Sequence, residues 1–207
     1  MTRIAPLTGV AFFVLTLISF AVAGDPPDLD ASGAEVIEFY EDEEGKQIFS
    51  AVLAGWAAVF FVFFAGTLRR VLRRAEGTDG GGLSATAFAG GIIFAVGIAI
   101  FAAIQFTLAD AAGDIGPETA ATFHVMNENF FFPAAIGTSV FMLAAGIAVV
   151  KTQALPAWLG WVAVLLGVIA VTPIGFAGFI GLGIWTLVVS ILLTMRADEP
   201  AGAPPSG

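Results

Sequence analysis

Leu83 to Leu108 reads LSATAFAGGIIFAVGIAIFAAIQFTL, twenty-six residues without a single charge. A helix crossing a hydrocarbon core about 30 Å thick needs about 20 mostly apolar residues, so this stretch is predicted to span a membrane. Working outward from it, five more stretches of the same kind stand at about 4–23, 48–68, 129–150, 157–172 and 176–195. Two polar segments, 24–47 and 110–127, separate the first from the second and the third from the fourth. The fold class expected is therefore all-α: one bundle of six transmembrane helices over residues 1–196. The tail, 197–207, is rich in Pro, Gly and Ala and is expected to be disordered and cytoplasmic.

Composition agrees with the hydropathy pattern. Residues of the AVILMFWYC class make up 58 % of the 207, and only 12 % are charged, about half the usual share. There is too little polar surface to cover a water-soluble domain of this size. With eight Lys+Arg against seventeen Asp+Glu, the net charge is −9, which argues against nucleic acid as a partner. There is no cysteine. Disulfides, iron–sulfur clusters, thiolate zinc sites and Cys nucleophiles are thereby excluded.

Basic residues near span ends set orientation. With both termini inside, Arg3, Arg69, Arg70, Arg73, Arg74, Lys151 and Arg196 lie in the cytoplasm and Lys46 alone lies outside. The two outer segments with Glu128 carry thirteen acidic residues, so the outer face stands at −12 and the inner face at +3. The expected location is a bacterial plasma membrane. Arg3, the apolar run and Ala21-Val22-Ala23 also fit a secretory signal with its cleavage site, but the apolar run is longer than a signal core and a retained helix is expected.

Small residues let membrane helices approach closely. Ala87, Gly91, Ala95, Ala99 and Ala103 recur every four residues and predict a packing stripe, with Phe88, Phe94, Ile98, Phe101 and Ile104 opposite it. Ala51 and Gly55 repeat the spacing in the second span. Pro133 is expected to kink the fourth span, Pro156 to start the fifth, and Pro173 to end it. The glycines from Gly175 to Gly183 then suit a tight outer hairpin. Ser32 and Glu35 fit a capping box, opening a short helix expected to lie on the membrane surface. Pro117 and Glu118 suit a second helix start.

Ionisable groups deep in a membrane mark function, and the span centres carry only weak polar groups: Thr16, Ser19, Ser50, Gln105, Thr107, Thr138, Ser139, Thr186 and Ser190. The strongest candidate site is at the outer boundary. His124, Asn127 and Glu128 share a helix face at i, i+3 and i+4, within reach of Gln105 and Asp110 from the end of the third span. One His and one Glu supply two ligands where a closed zinc site needs four, so no metal is expected. No nucleophile accompanies the pair, so no catalytic residue is assigned and no cofactor is expected. Arg69, Arg70, Arg73 and Arg74 form a topological anchor that can also hold anionic lipid headgroups. Glu41-Asp42-Glu43-Glu44 lacks the alternating ligands of a calcium loop and reads as a solvated face.

At Ala154-Leu155-Pro156-Ala157-Trp158-Leu159-Gly160-Trp161 the chain resembles uncharacterised bacterial six-helix membrane proteins, which have a similar Leu-Pro-x-Trp-Leu-Gly turn before their last two helices. The resemblance implies a six-helix fold and no known activity. The function expected is that of a non-enzymatic membrane subunit or scaffold binding a partner protein or lipid, with the bilayer and a membrane partner or second copy as partners. The alternative is a transporter or channel for a small neutral or apolar solute.

Overall fold

A computed structural model describes residues 5–77, 81–129 and 131–198. The helices are α1 (Leu7–Ala23), α2 (Gly33–Asp42), α3 (Glu44–Glu76), α4 (Gly82–Ala111), α5 (Pro117–Asn129), α6 (Phe131–Thr152), α7 (Ala157–Ile169) and α8 (Gly175–Asp198), with a 3-10 turn at Ala112–Asp114 between α4 and α5. Taking Pro117–Thr152 as one rod, as its continuous hydropathy allows, gives seven helices rather than six. Four of them are long and apolar enough to cross a membrane: Glu44–Glu76, Gly82–Asp114, Pro117–Thr152 and Gly175–Arg196. The other two apolar helices fall short of the expectation. At about 1.5 Å per residue, the 17 residues of α1 and the 13 of α7 reach about 25 and 20 Å, against a core of about 30 Å.

The six apolar helices close a ring in the order α1, α3, α4, α6, α7, α8 and back to α1. The ring's centre is aromatic. Phe61 stands 4.6 Å from Phe94, 4.8 Å from Phe12 and 5.2 Å from Phe141, ring centre to ring centre, and all four are buried. In a bilayer, where lipid tails are as apolar as these rings, close packing rather than escape from solvent would hold them. Trp185 adds a directed contact, donating its indole N–H to the Leu159 carbonyl at 2.9 Å and tying α8 to α7.

The most extensive seam lies between α4 and α6. A Cβ on Gly137 would stand 2.2 Å from the Phe94 backbone nitrogen, and one on Gly90 2.4 Å from that of Phe141. The face in contact is thus Gly90, Gly91, Phe94 and Gly97, at helical spacing, and the predicted stripe is corrected: Ala99 and Ala103 are exposed while Phe94 is fully buried. An i+4 repeat drifts about 40° per step on a helix of 3.6 residues per turn, so five such residues wind off any one face. Gly55 also meets nothing; the packed face of α3 runs through Ala51, Ala54, Ala57, Ala58 and Phe61.

Pro133 stands at the junction of α5 and α6, and the kink expected there falls beside Phe130, which lies outside the described residues. The outer hairpin is as tight as expected: a Cβ on Gly178 would touch the Ala170 backbone at 2.8 Å. The tail is helical through Asp198, and 199–207 lie outside the described residues, as do Arg3 and Asp79.

The two polar segments build a cap over one end of the ring. Ser32 Oγ accepts from the Glu35 N–H at 3.3 Å and Glu35 Oε2 accepts from the Ser32 N–H at 2.7 Å, the reciprocal box the sequence predicts. The hydrogen bond from the Ser32 N–H holds the Glu35 carboxyl below its ordinary value, with the Ser32 hydroxyl adding to it. The α2 helix does not lie alone on a surface, however. It packs on α5 and on the turn after α4, with Val36, Tyr40, Leu108, Ala112 and Ala120 as a small core of their own. Gly33 makes this possible, because a Cβ there would fall 1.8 Å from the Pro117 carbonyl oxygen.

Candidate functional site

Beneath the cap the interior of the ring is not filled. A cavity of about 340 Å³ runs down between α1, α3, α4 and α8. It spans from Gln47 to Ala57 on α3, about 15 Å at the rise of a helix. Its walls are aromatic, formed by Phe12, Phe20, Phe101, Phe131, Phe176 and Phe179, with Ala54 and Ala57 leaving the space on the α3 side. Its upper end is polar, where Tyr40, Gln47, Gln105, Asn127 and Glu128 come together. The packed Phe12, Phe61 and Phe94 rings close it below.

The polar end is built by side chains that clasp three helices. Ser19 and Ser50 donate to each other's backbone carbonyls at 2.9 and 3.0 Å, a reciprocal pair joining α1 to α3. One turn above, Gln47 Nε2 donates to the Ala23 carbonyl at 2.7 Å, satisfying one of the carbonyls that the end of α1 leaves open. Gln105 Nε2 in turn donates to Gln47 Oε1 at 2.8 Å and to Ser50 Oγ at 3.3 Å, bringing in α4. Asn127 is 3 % exposed and its Oδ1 has no hydrogen-bond partner. A buried acceptor left unmet costs about 1–3 kcal/mol. Tyr40 hangs into this end from α2, and its hydroxyl pKa is pushed up to about 12, by burial first and by the negative charge of Glu128 second.

Of the five residues the sequence singles out, the structure brings together three. Gln105, Asn127 and Glu128 line the cavity. His124 does not: it is buried against the preceding segment, its Nε2 facing the Pro27 carbonyl at 3.1 Å so that Nε2 carries the hydrogen, while Nδ1 stays unpartnered. Asp110 is exposed and apart from the cavity. The residues missed are Tyr40, Gln47 and the Ser19–Ser50 pair. Their signal was present in part, since Gln47, Ser50, Ala51 and Ala54 fall at i, i+3, i+4 and i+7, a small and polar face on a helix otherwise lined with Phe. Among the described residues, no group of three His, Cys, Asp or Glu is placed to hold a metal ion.

A family model described as Domain of unknown function (DUF4386) matches residues 7–197. The chain belongs to this family. No curated protein matches it, and no solved structure does either. The match covers the ring, the cap and the cavity of this DUF4386 chain as one unit.

The arginines of this DUF4386 chain sit at the ring's other end. Arg69, Arg70, Arg73 and Arg74 occupy the last turns of α3 and are all exposed. Arg69 lies over the Phe88 ring at 5.2 Å and Arg70 donates to Thr67 Oγ1 at 3.2 Å. Arg73 donates to the Gly77 carbonyl. Glu76 Oε1 accepts the Ser84 N–H at 3.0 Å, a carboxylate at a helix N-terminus where the dipole favours it.

Proposed function

We propose that this protein is a multi-pass membrane protein that binds one lipid-like amphiphile in the capped cavity, as a non-enzymatic binding or scaffold subunit. The observation that carries the reading is the cavity's division into an aromatic shaft and a polar mouth, the shape of a chain with a headgroup. Pockets of about 300–1,000 Å³, mostly apolar with a few placed polar groups, are what small ligands occupy, and about 340 Å³ admits one chain. The aromatic cluster that closes the shaft from below supports binding over passage, so the transporter reading ranks second. In this reading the arginine end faces the cytoplasm of a bacterium, together with Lys151 and Arg196, and the four arginines rest against anionic headgroups. The cap faces outward.

The test is occupancy. Native mass spectrometry of the protein released from detergent micelles is expected to show uptake of a single ten-carbon amphiphile, 1-decanol or decylammonium. Ala57→Trp, which puts an indole into the shaft, is expected to abolish uptake while the protein remains folded by circular dichroism. Failure of the wild type to take up either compound would overturn the proposal.

A further inference from the structure

The cavity's mouth is chemically one-sided. No described lining residue is Lys, Arg or His. Its one carboxylate is Glu128, and beside it stands the unmet acceptor of Asn127. The nearest basic residue in the cap, Lys46, is held by Glu43 at 2.5 Å. Thirteen of the seventeen carboxylates in the chain lie in the cap segments, with Lys46 as the single cation among them. Such a concentration of one sign raises the local concentration of counter-ions and repels like charge. Below the mouth, the walls offer phenyl faces, and an aromatic face attracts a cation.

Two features thus ask for the same headgroup and a third accommodates it. Glu128 asks for positive charge, Asn127 Oδ1 asks for an N–H or O–H donor, and the rings accept either an alkyl chain or a cation. Resting on the cavity reading above, we infer that the preferred occupant is a protonated amine on an apolar chain, an amphiphilic ammonium whose N–H groups meet Asn127 and Glu128. An anionic amphiphile such as a fatty acid or alkyl sulfate meets the wrong charge at the mouth and finds no basic side chain to offset it.

The same mass-spectrometric titration separates this inference from the one it rests on. Decylammonium, 1-decanol and decyl sulfate share a chain and differ in headgroup charge. Decylammonium is expected to bind about tenfold more tightly than 1-decanol, and decyl sulfate is expected not to bind. Glu128→Gln is expected to bring decylammonium down to the affinity of 1-decanol. Equal binding of decylammonium and 1-decanol by the wild type, or stronger binding of decyl sulfate, overturns the charge preference and leaves the cavity reading standing. Absence of binding by all three overturns both. Because the headgroup comparison is made on the wild-type protein, it holds even where the Glu128 variant fails to fold.

Discussion

Tyr40 is the single tyrosine of the chain, and it joins the cap's core to the cavity's mouth. That makes it a reporter for both. Its pKa of about 12 predicts that the phenolate absorbance of the folded protein rises with a midpoint near 12, not near the ordinary 10. Glu128→Gln is expected to lower the midpoint only partly, because burial is the larger cause. The sign follows from linkage. A pKa raised in the folded state leaves stability intact below about 10 and removes it as pH rises from there through about 12. A midpoint near 10 in folded protein would mean that Tyr40 is solvated and the cap open. At this scale the sequence was half legible. It found Gln105, Asn127 and Glu128, because polar residues at the end of an apolar span stand out. It misplaced His124 because helical spacing fixes angle, not depth. His124 lies one turn, about 5 Å, beyond Glu128, level with Pro27 rather than with the cavity. Asp110 was misplaced by angle: five residues past Gln105, it has turned about 140° away. Gln47 was hidden because it sits at a span's border, where a polar residue is unremarkable until Ala23 and Gln105 are seen to meet it.

The elements themselves read well where a local rule decided them. The capping box of α2 and the glycine hairpin before α8 needed only neighbouring residues, and both are present. The contact faces read badly, since a small residue marks a seam only if another backbone happens to approach. Gly137 and Gly55 make the contrast measurable. Both lie inside apolar helices, but a Cβ on Gly137 collides with the Phe94 backbone whereas one on Gly55 meets open space. Gly137→Ala is therefore expected to destabilise the protein by about 1–3 kcal/mol, the usual cost of overpacking. Backbone cannot rotate aside, so the full collision must be absorbed by moving α4. Gly55→Ala is expected to be neutral or to stabilise by up to about 1 kcal/mol through helix propensity. Thermal unfolding in one detergent, followed by circular dichroism, reads both. A Gly55 variant as damaged as the Gly137 variant would show that α3 has a close neighbour at Gly55 in the membrane, such as a second copy.

For the whole molecule, the net charge of −9 carries less meaning than its separation. The cap holds nearly all the acid and the far ends of α3, α6 and α8 hold the base, so the ring lies between faces of opposite sign. Each face then has a separate physical consequence. The basic end is the basis of the proposed orientation, because positively charged loops near span ends stay in the cytoplasm. In the proposed orientation the acidic end then puts the cavity's mouth outside, with Glu128 exposed there and Asn127 buried behind it. The absence of cysteine makes this directly testable, since any introduced thiol is the only one to label. Asp30→Cys and Glu118→Cys stand in the cap and Ala75→Cys stands beside the arginines, all three at exposed positions. A membrane-impermeant maleimide applied to intact spheroplasts is expected to label the first two at once and the third only after permeabilisation. The reverse pattern would turn the molecule over and place the ammonium-selective mouth in the cytoplasm, where its ligand would have to be a cellular product. Labelling at all three positions without permeabilisation would contradict the six-pass arrangement itself. That outcome would mean that neither α3 nor α4, the helices that separate the three probes, crosses the bilayer, although both are long and apolar enough to do so.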